Sequence, residues 1–89
     1  MNAEIRELVR GGILTTLQRS GKYHPTPKTL HLGLKQAGYA VTIEEVEEEL
    51  VYLADKKFVE TAVKAISPEN RQYRITAAGR DFLAEEGLA

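Results

Sequence analysis

The stretch Thr42–Phe58, TIEEVEEELVYLADKKF, reads as a capped amphipathic helix whose solvent side is loaded with glutamate. Thr42 followed by Glu45 is a capping box: the threonine hydroxyl accepts from the amide three residues on, and the glutamate reaches back to the amide of the cap. Val41 and Val46 stand in the staple positions on either side. Ile43, Val46, Leu50, Leu53 and Ala54 recur at the three-and-four spacing of one buried stripe, whereas Glu44, Glu45, Glu47, Glu48, Tyr52 and Asp55 fall elsewhere on the wheel. Glutamates near the start and Lys56 and Lys57 at the end complement the helix dipole. The acidic run fits a solvated, dipole-favoured face, and it fits an acidic interaction surface as well.

Upstream, Thr26 caps a second helix, with Pro27 at its first position and Gly38 just past its end. Leu30, Gly33, Leu34 and Ala37 form the expected buried face, and Lys28, His31, Leu32 and Lys35 point away. A glycine inside a helix costs about 1 kcal/mol relative to alanine, so Gly33 is expected to permit a close helix contact. Tyr23–Pro25 is extended, because the residue before a proline avoids helical geometry. Asn2 caps a first helix running to about Ser20, with Gly21 as its stop. Ile5, Val9, Gly12, Ile13 and Thr16 lie on one side of it, while Arg6, Arg10, Leu14 and Leu17 make a second stripe. This helix is therefore expected to contact something on two sides, either the C-terminal helix or a second subunit.

Downstream, Val59, Thr61, Val63 and Ala65 alternate with Glu60, Ala62 and Lys64 in the period of a strand. Ser67-Pro68-Glu69-Asn70 is turn chemistry, and Gln72–Thr76 alternates again with Tyr73 and Ile75 on one face. The two runs are expected to pair as an antiparallel hairpin across a loop of about six residues. Thr76 then caps a last helix, AAGRDFLAEE, with Phe82 and Leu83 as its apolar contacts.

Eighty-nine residues, 43% hydrophobic and 28% charged, make one small domain spanning 1–89. Zero cysteines remove disulfides, thiol catalysis and the usual structural zinc sites. No apolar run approaches the length of a membrane span, and MNAEIREL lacks the order of a secretion signal, so a cytoplasmic location is expected. The net charge of −1 hides a strong asymmetry: residues 1–41 carry +4, residues 42–60 carry −5 and residues 61–89 carry 0. Such a chain can bind an anion through one face and a basic partner through another.

The order helix, extended segment, helix, turn, helix, hairpin, helix, over almost the whole chain, resembles a winged helix-turn-helix domain. Leu30–Gly38, then Val46, Leu50, Leu53 and the exit Lys57-Phe58-Val59, look like the family's second and third helices running into its first wing strand. Tyr73-Arg74-Ile75-Thr76-Ala77-Ala78-Gly79 is similar to the signature closing the wing in many bacterial winged-helix regulators. A looser likeness is to short winged-helix reading frames of transposable prophages. The resemblance implies an α+β fold: a three-helix core, a β-hairpin wing and a C-terminal helix. It also implies DNA binding by a small transcriptional regulator, with Thr42–Lys56 in the major groove and the wing tip Ile66–Arg71 along the neighbouring groove. The chain departs from the pattern where base-reading residues are usually arginine, lysine, asparagine or glutamine, since those positions hold Glu44, Glu45, Glu47 and Glu48.

Two functions are thus carried forward. In the first, double-stranded DNA is held by the wing and a basic front, through Lys28, His31, Lys35, Lys64, Arg71 and Arg74, with Arg19, Lys22 and His24 nearby in sequence. In the second, the domain docks a basic or apolar protein through Glu44, Glu45, Glu48 and Tyr52, aided by exposed Leu32, without binding DNA. A homodimer through the first and last helices is expected in either case. No enzyme, cofactor or metal is expected: His24 and His31 lack partners at ligand spacing, no glycine-rich phosphate loop follows a strand, and nothing in the glutamate run is expected to desolvate one carboxylate against another.

Overall fold

Four side-chain caps set the helix starts in the computed structural model, which describes residues 1–87. Asn2 Oδ1 accepts from the Ile5 amide at 2.8 Å and opens α1, Ala3–Ser20. Thr26 Oγ1 accepts from Thr29 and opens α2, Pro27–Gln36. Thr42 opens α3, Ile43–Asp55, with both halves of the capping box formed: Glu45 N to Thr42 Oγ1 at 3.1 Å and Thr42 N to Glu45 Oε1 at 2.9 Å. Thr76 accepts from Gly79 and opens α4, Ala77–Glu85. Each cap satisfies amides that the first helical turn leaves without partners.

Helices α2 and α3 end alike. The Tyr39 amide donates to Leu34 and Gly38 to Lys35; in the same pattern Phe58 donates to Leu53 and Lys57 to Ala54. This crossed pair requires a left-handed residue just past the helix. Gly38 fills that position in α2 with φ 98°, but in α3 the residue is Lys57, at φ 66°.

Between α3 and α4, strands β1 (Val59–Val63) and β2 (Gln72–Ile75) pair antiparallel, joined by a loop containing one 3₁₀ turn, Pro68–Asn70. Val59 faces Ile75, Glu60 faces Arg74 and Thr61 faces Tyr73, but Val63 then faces Gln72, so Ala62 is a bulge. The bulge resets the alternation. Val59 is consequently in the core while Val63, expected on the same face, is exposed, and the strand stops before Ala65. The Tyr73 amide donates to the Pro25 carbonyl at 3.0 Å, which ties the extended Tyr23–Pro25 segment alongside β2. The fold is α+β, four helices with a two-stranded hairpin.

One apolar core joins these elements: Val9, Ile13, Leu14 and Leu17 from α1, Leu30 and Leu34 from α2, Val46, Leu50 and Leu53 from α3, and Val59, Tyr73 and Leu83. Leu14 and Leu17, placed by the sequence on a second stripe with a possible subunit contact, are buried inside this single chain. The α1 helix is two-sided because α2, β2 and α4 pack on it and Arg10 joins it to Glu49 of α3. Gly12 comes within reach of α2, since a Cβ there would lie 3.0 Å from Leu34 Cδ2. Gly33 does not have the packing role expected of it: it is exposed and a Cβ would meet nothing within 4 Å. Ala37, also expected to be buried, is exposed.

The start of α4 is fixed to the α3–β1 turn. Thr76 donates from its amide to Phe58 O at 3.0 Å and from its hydroxyl to Lys57 O at 2.5 Å. A Cβ at Gly79 would collide with the same Phe58 carbonyl and stand 2.7 Å from Ile75 Cγ1, so glycine is required there. Phe58 and Phe82 stack with centroids 4.8 Å apart, closing α4 over the turn.

Candidate functional site

Geometry divides the glutamates of α3 among three situations. Glu45 is held by its own cap; its carboxyl lies below the ordinary carboxylate value, chiefly because the Thr42 amide donates to the charged form. Glu49 turns inward and is buried, its carboxylate bonded by Arg10 Nε at 2.5 Å to Oε1 and approached by Arg6 Nε at 3.6 Å to Oε2. The expectation that nothing in the run is desolvated fails at this residue. Arg10 also lies over the Tyr52 ring, 3.6 Å from the guanidinium carbon to the centroid. This three-residue unit locks α3 to α1.

Glu44, Glu47 and Glu48 remain, with Asp55 about two turns beyond Glu48. At about 100° per residue Glu44, Glu48, Val51 and Asp55 share one outward line, and Glu47 flanks it. Among the described residues none of these four carboxylates is in an ion pair. Val51 stands in their midst and is 59% exposed. Tyr52, expected beside Glu44, Glu45 and Glu48 in one interaction surface, instead leans off the row toward Arg10, with Lys56 Nζ 5.8 Å from its ring centre on the other side.

The six expected DNA contacts are not equivalent. Lys28 and Lys35 are exposed on α2, on either side of Leu32, itself 55% exposed. His31 bonds the Val41 carbonyl through Nε2 at 2.7 Å, clamping α2 to the turn before α3. Because its partner is a carbonyl, Nε2 carries the proton. In the hairpin, Arg71 Nε donates to Ala65 O at 3.0 Å and closes the loop, while Arg74 Nε pairs with Glu60 Oε1 at 2.7 Å across the strands. Lys64 is exposed, without such a partner among the described residues. The 3₁₀ turn packs against α2, which brings the hairpin loop up to the helix that carries Lys28 and Lys35.

Two further residues entered the site only with the structure. Val51 is at the centre of the acidic row, and it was marked in the sequence by falling outside the apolar stripe of α3. Arg10 was visible as part of the second stripe of α1, but its partner Glu49 was concealed within a run of like residues.

A groove of about 360 Å³ between α1, α3 and α4 has Leu8, Tyr52, Phe58 and Phe82 in its walls and Glu7 and Glu86 at its edge. It lies where the first and last helices would meet a second subunit, although Leu14, which suggested that dimer, is no part of it. Among the described residues no group of three or more histidine, aspartate or glutamate side chains is placed to hold a metal ion. Nor, among them, is any helix long and apolar enough to cross a membrane. No protein-family model and no curated protein matches the chain.

Proposed function

We propose that this chain is a winged helix that serves as a protein-docking module, with α3 presented to a partner that carries lysine or arginine around an apolar centre. The order of elements and the tie from Pro25 to Tyr73, which lays a third extended segment beside the hairpin, support the winged-helix assignment. The docking function rests on one observation: the unpaired outward row Glu44, Glu47, Glu48 and Asp55 around exposed Val51. An exposed apolar residue within a charged rim is the arrangement of a recognition patch.

The same row opposes a duplex. DNA affinity comes mainly from cations that displace counterions from phosphates, and a surface of four carboxylates adds repulsion where that gain should arise. On the hairpin Arg74 is paired with Glu60 and Arg71 is tied to the Ala65 carbonyl, which leaves Lys64 exposed without such a bond among the described residues. Regulation of transcription through DNA retains one supporting observation, the packing of the hairpin's 3₁₀ turn against α2, the helix that carries exposed Lys28 and Lys35.

Two titrations separate the readings. A labelled random-sequence duplex is titrated at about 50 and about 200 mM salt, with no binding expected at either; measurable affinity with a steep salt slope would replace docking with DNA binding. A synthetic lysine- and leucine-bearing amphipathic helix is then added to the ¹⁵N-labelled protein. Amide shifts are expected along Glu44–Asp55, and shifts confined to other elements, or none, would refute the docking role of α3.

A further inference from the structure

Two outward lines on adjoining helices match each other in reverse. On α2, Lys28, Leu32 and Lys35 run cation, apolar, cation at spacings of four and then three residues. On α3, read from its C-terminal end, Asp55, Val51 and Glu48 run anion, apolar, anion at spacings of four and then three. Both lines span two helical turns, about 10 Å at 1.5 Å per residue. Lys28, Lys35, Glu48 and Asp55 are all exposed, none of them is in an ion pair among the described residues, and the two apolar centres are each more than half exposed.

We infer that the partner of this surface is a second copy of the chain. In the pairing, α2 of one protomer lies antiparallel on α3 of the other, Leu32 against Val51, Lys28 against Asp55 and Lys35 against Glu48, with the contact repeated about a two-fold axis. Such an interface must be self-complementary, with one surface carrying both members of every contact. This chain supplies both members of each contact, since its basic and acidic lines are on two helices, α2 and α3, that pack against each other. The pairing also covers α3, so a self-associated protomer has no α3 surface left for a duplex.

This inference rests on the docking role proposed for α3 and names its occupant. Sedimentation equilibrium of the wild type should show a monomer–dimer equilibrium that weakens with added salt, since the four ion pairs are at the rim. Lys28→Glu/Lys35→Glu and Glu48→Lys/Asp55→Lys should each weaken it by at least about tenfold, because every pair becomes like-charged. Circular dichroism checks that both variants fold. An equimolar mixture of the two should recover wild-type affinity as a heterodimer, since both copies of the contact are then complementary again. Wild-type affinity in either variant, or a mixture that stays monomeric, overturns the pairing; the first of these results points to α1 and α4 instead. A wild type that is monomeric up to about 1 mM overturns it too. In that event the amphipathic-helix titration still reports on α3, so the self-pairing and the docking function fail separately.

Discussion

Removing the Arg10 guanidinium tests the interior lock on which the α3 surface depends. The Glu49 side chain is 7% exposed, against 22% for Arg10 and 45% for Arg6. In Arg10→Ala the buried carboxylate keeps only the longer Arg6 contact, while the stacking on Tyr52 is lost. Breaking a fully buried pair costs about 3–5 kcal/mol; because Arg10 is about one-fifth exposed and Arg6 remains, about 2–3 kcal/mol is expected. Arg6→Ala, at an exposed and longer contact, should cost about 0.5 kcal/mol or less. A domain of 89 residues holds about 5–10 kcal/mol in all, so each variant stays folded enough to measure. In urea, with a slope of about 1 kcal/mol per molar, the Arg10→Ala midpoint should fall by about 2–3 M. Glu49→Ala should cost less than Arg10→Ala, because the arginine it frees can turn to water. The double variant should cost clearly less than the sum of the two. Additive losses, each below about 0.5 kcal/mol, would refute the claim that this pair is a desolvated structural contact.

Four other outcomes follow from the backbone and the cap. Gly33→Ala should raise stability by about 0.5–1 kcal/mol, since the site is helical and open, and Lys57→Gly should gain a similar amount by relieving left-handed geometry; a loss in either urea midpoint contradicts the reasoning. Gly79→Ala should cost at least about 2 kcal/mol, because the obstacle is the Phe58 carbonyl, a backbone atom that also serves Thr76; a neutral thermal melt would show that α4 can shift. Glu45 has a folded-state pKa below the ordinary 4.5, so its stabilisation is fully present above that value and is lost as pH falls through the lower folded value. The stability gap between wild type and Glu45→Gln should thus be open at neutral pH and narrow as the pH falls below the ordinary carboxylate range, and a gap of constant size would remove the charge from the cap.

Local chemistry was readable from the chain. Asn2, Thr26, Thr42 and Thr76 all cap as expected, because a cap involves residues two or three apart and needs no tertiary partner. The apolar stripe of α3 was readable for the same reason, with Val46, Leu50 and Leu53 all in the core. What escaped depends on distant residues. Glu49 is indistinguishable from its neighbours until α1 brings Arg10 against it, across 39 positions of sequence. A bulge depends on two strands, so the exposure of Val63 could not be seen in one. Gly33 was assigned a packing role from a rule about glycines, and here the rule had no object. For the site, exposed Leu32 and the unpaired outer acids were legible, whereas the engagement of His31, Arg71 and Arg74 with Val41, Ala65 and Glu60 was not.

The lock and the surface bear on each other. A docking face made of long charged side chains pays an ordering cost when it binds, and that cost is smaller if the helix carrying it is already fixed. Two contacts fix α3: the Thr42–Glu45 box at its start and the Arg10–Glu49–Tyr52 unit, whose α3 members stand on either side of Val51 in sequence. The glutamates committed to these contacts are the ones missing from the outward row. One acidic run thus both anchors the helix and charges its exposed side, and the division is set by angle around the helix axis. Arg10→Lys makes the distinction measurable. It keeps the charge but loses the planar fork that grips Glu49 and covers Tyr52, so it should reduce stability while leaving every outward residue in place. If α3 serves only as a charged patch, partner affinity in this variant should stay at the wild-type level. If its fixed orientation contributes, affinity should fall although no contact residue has changed.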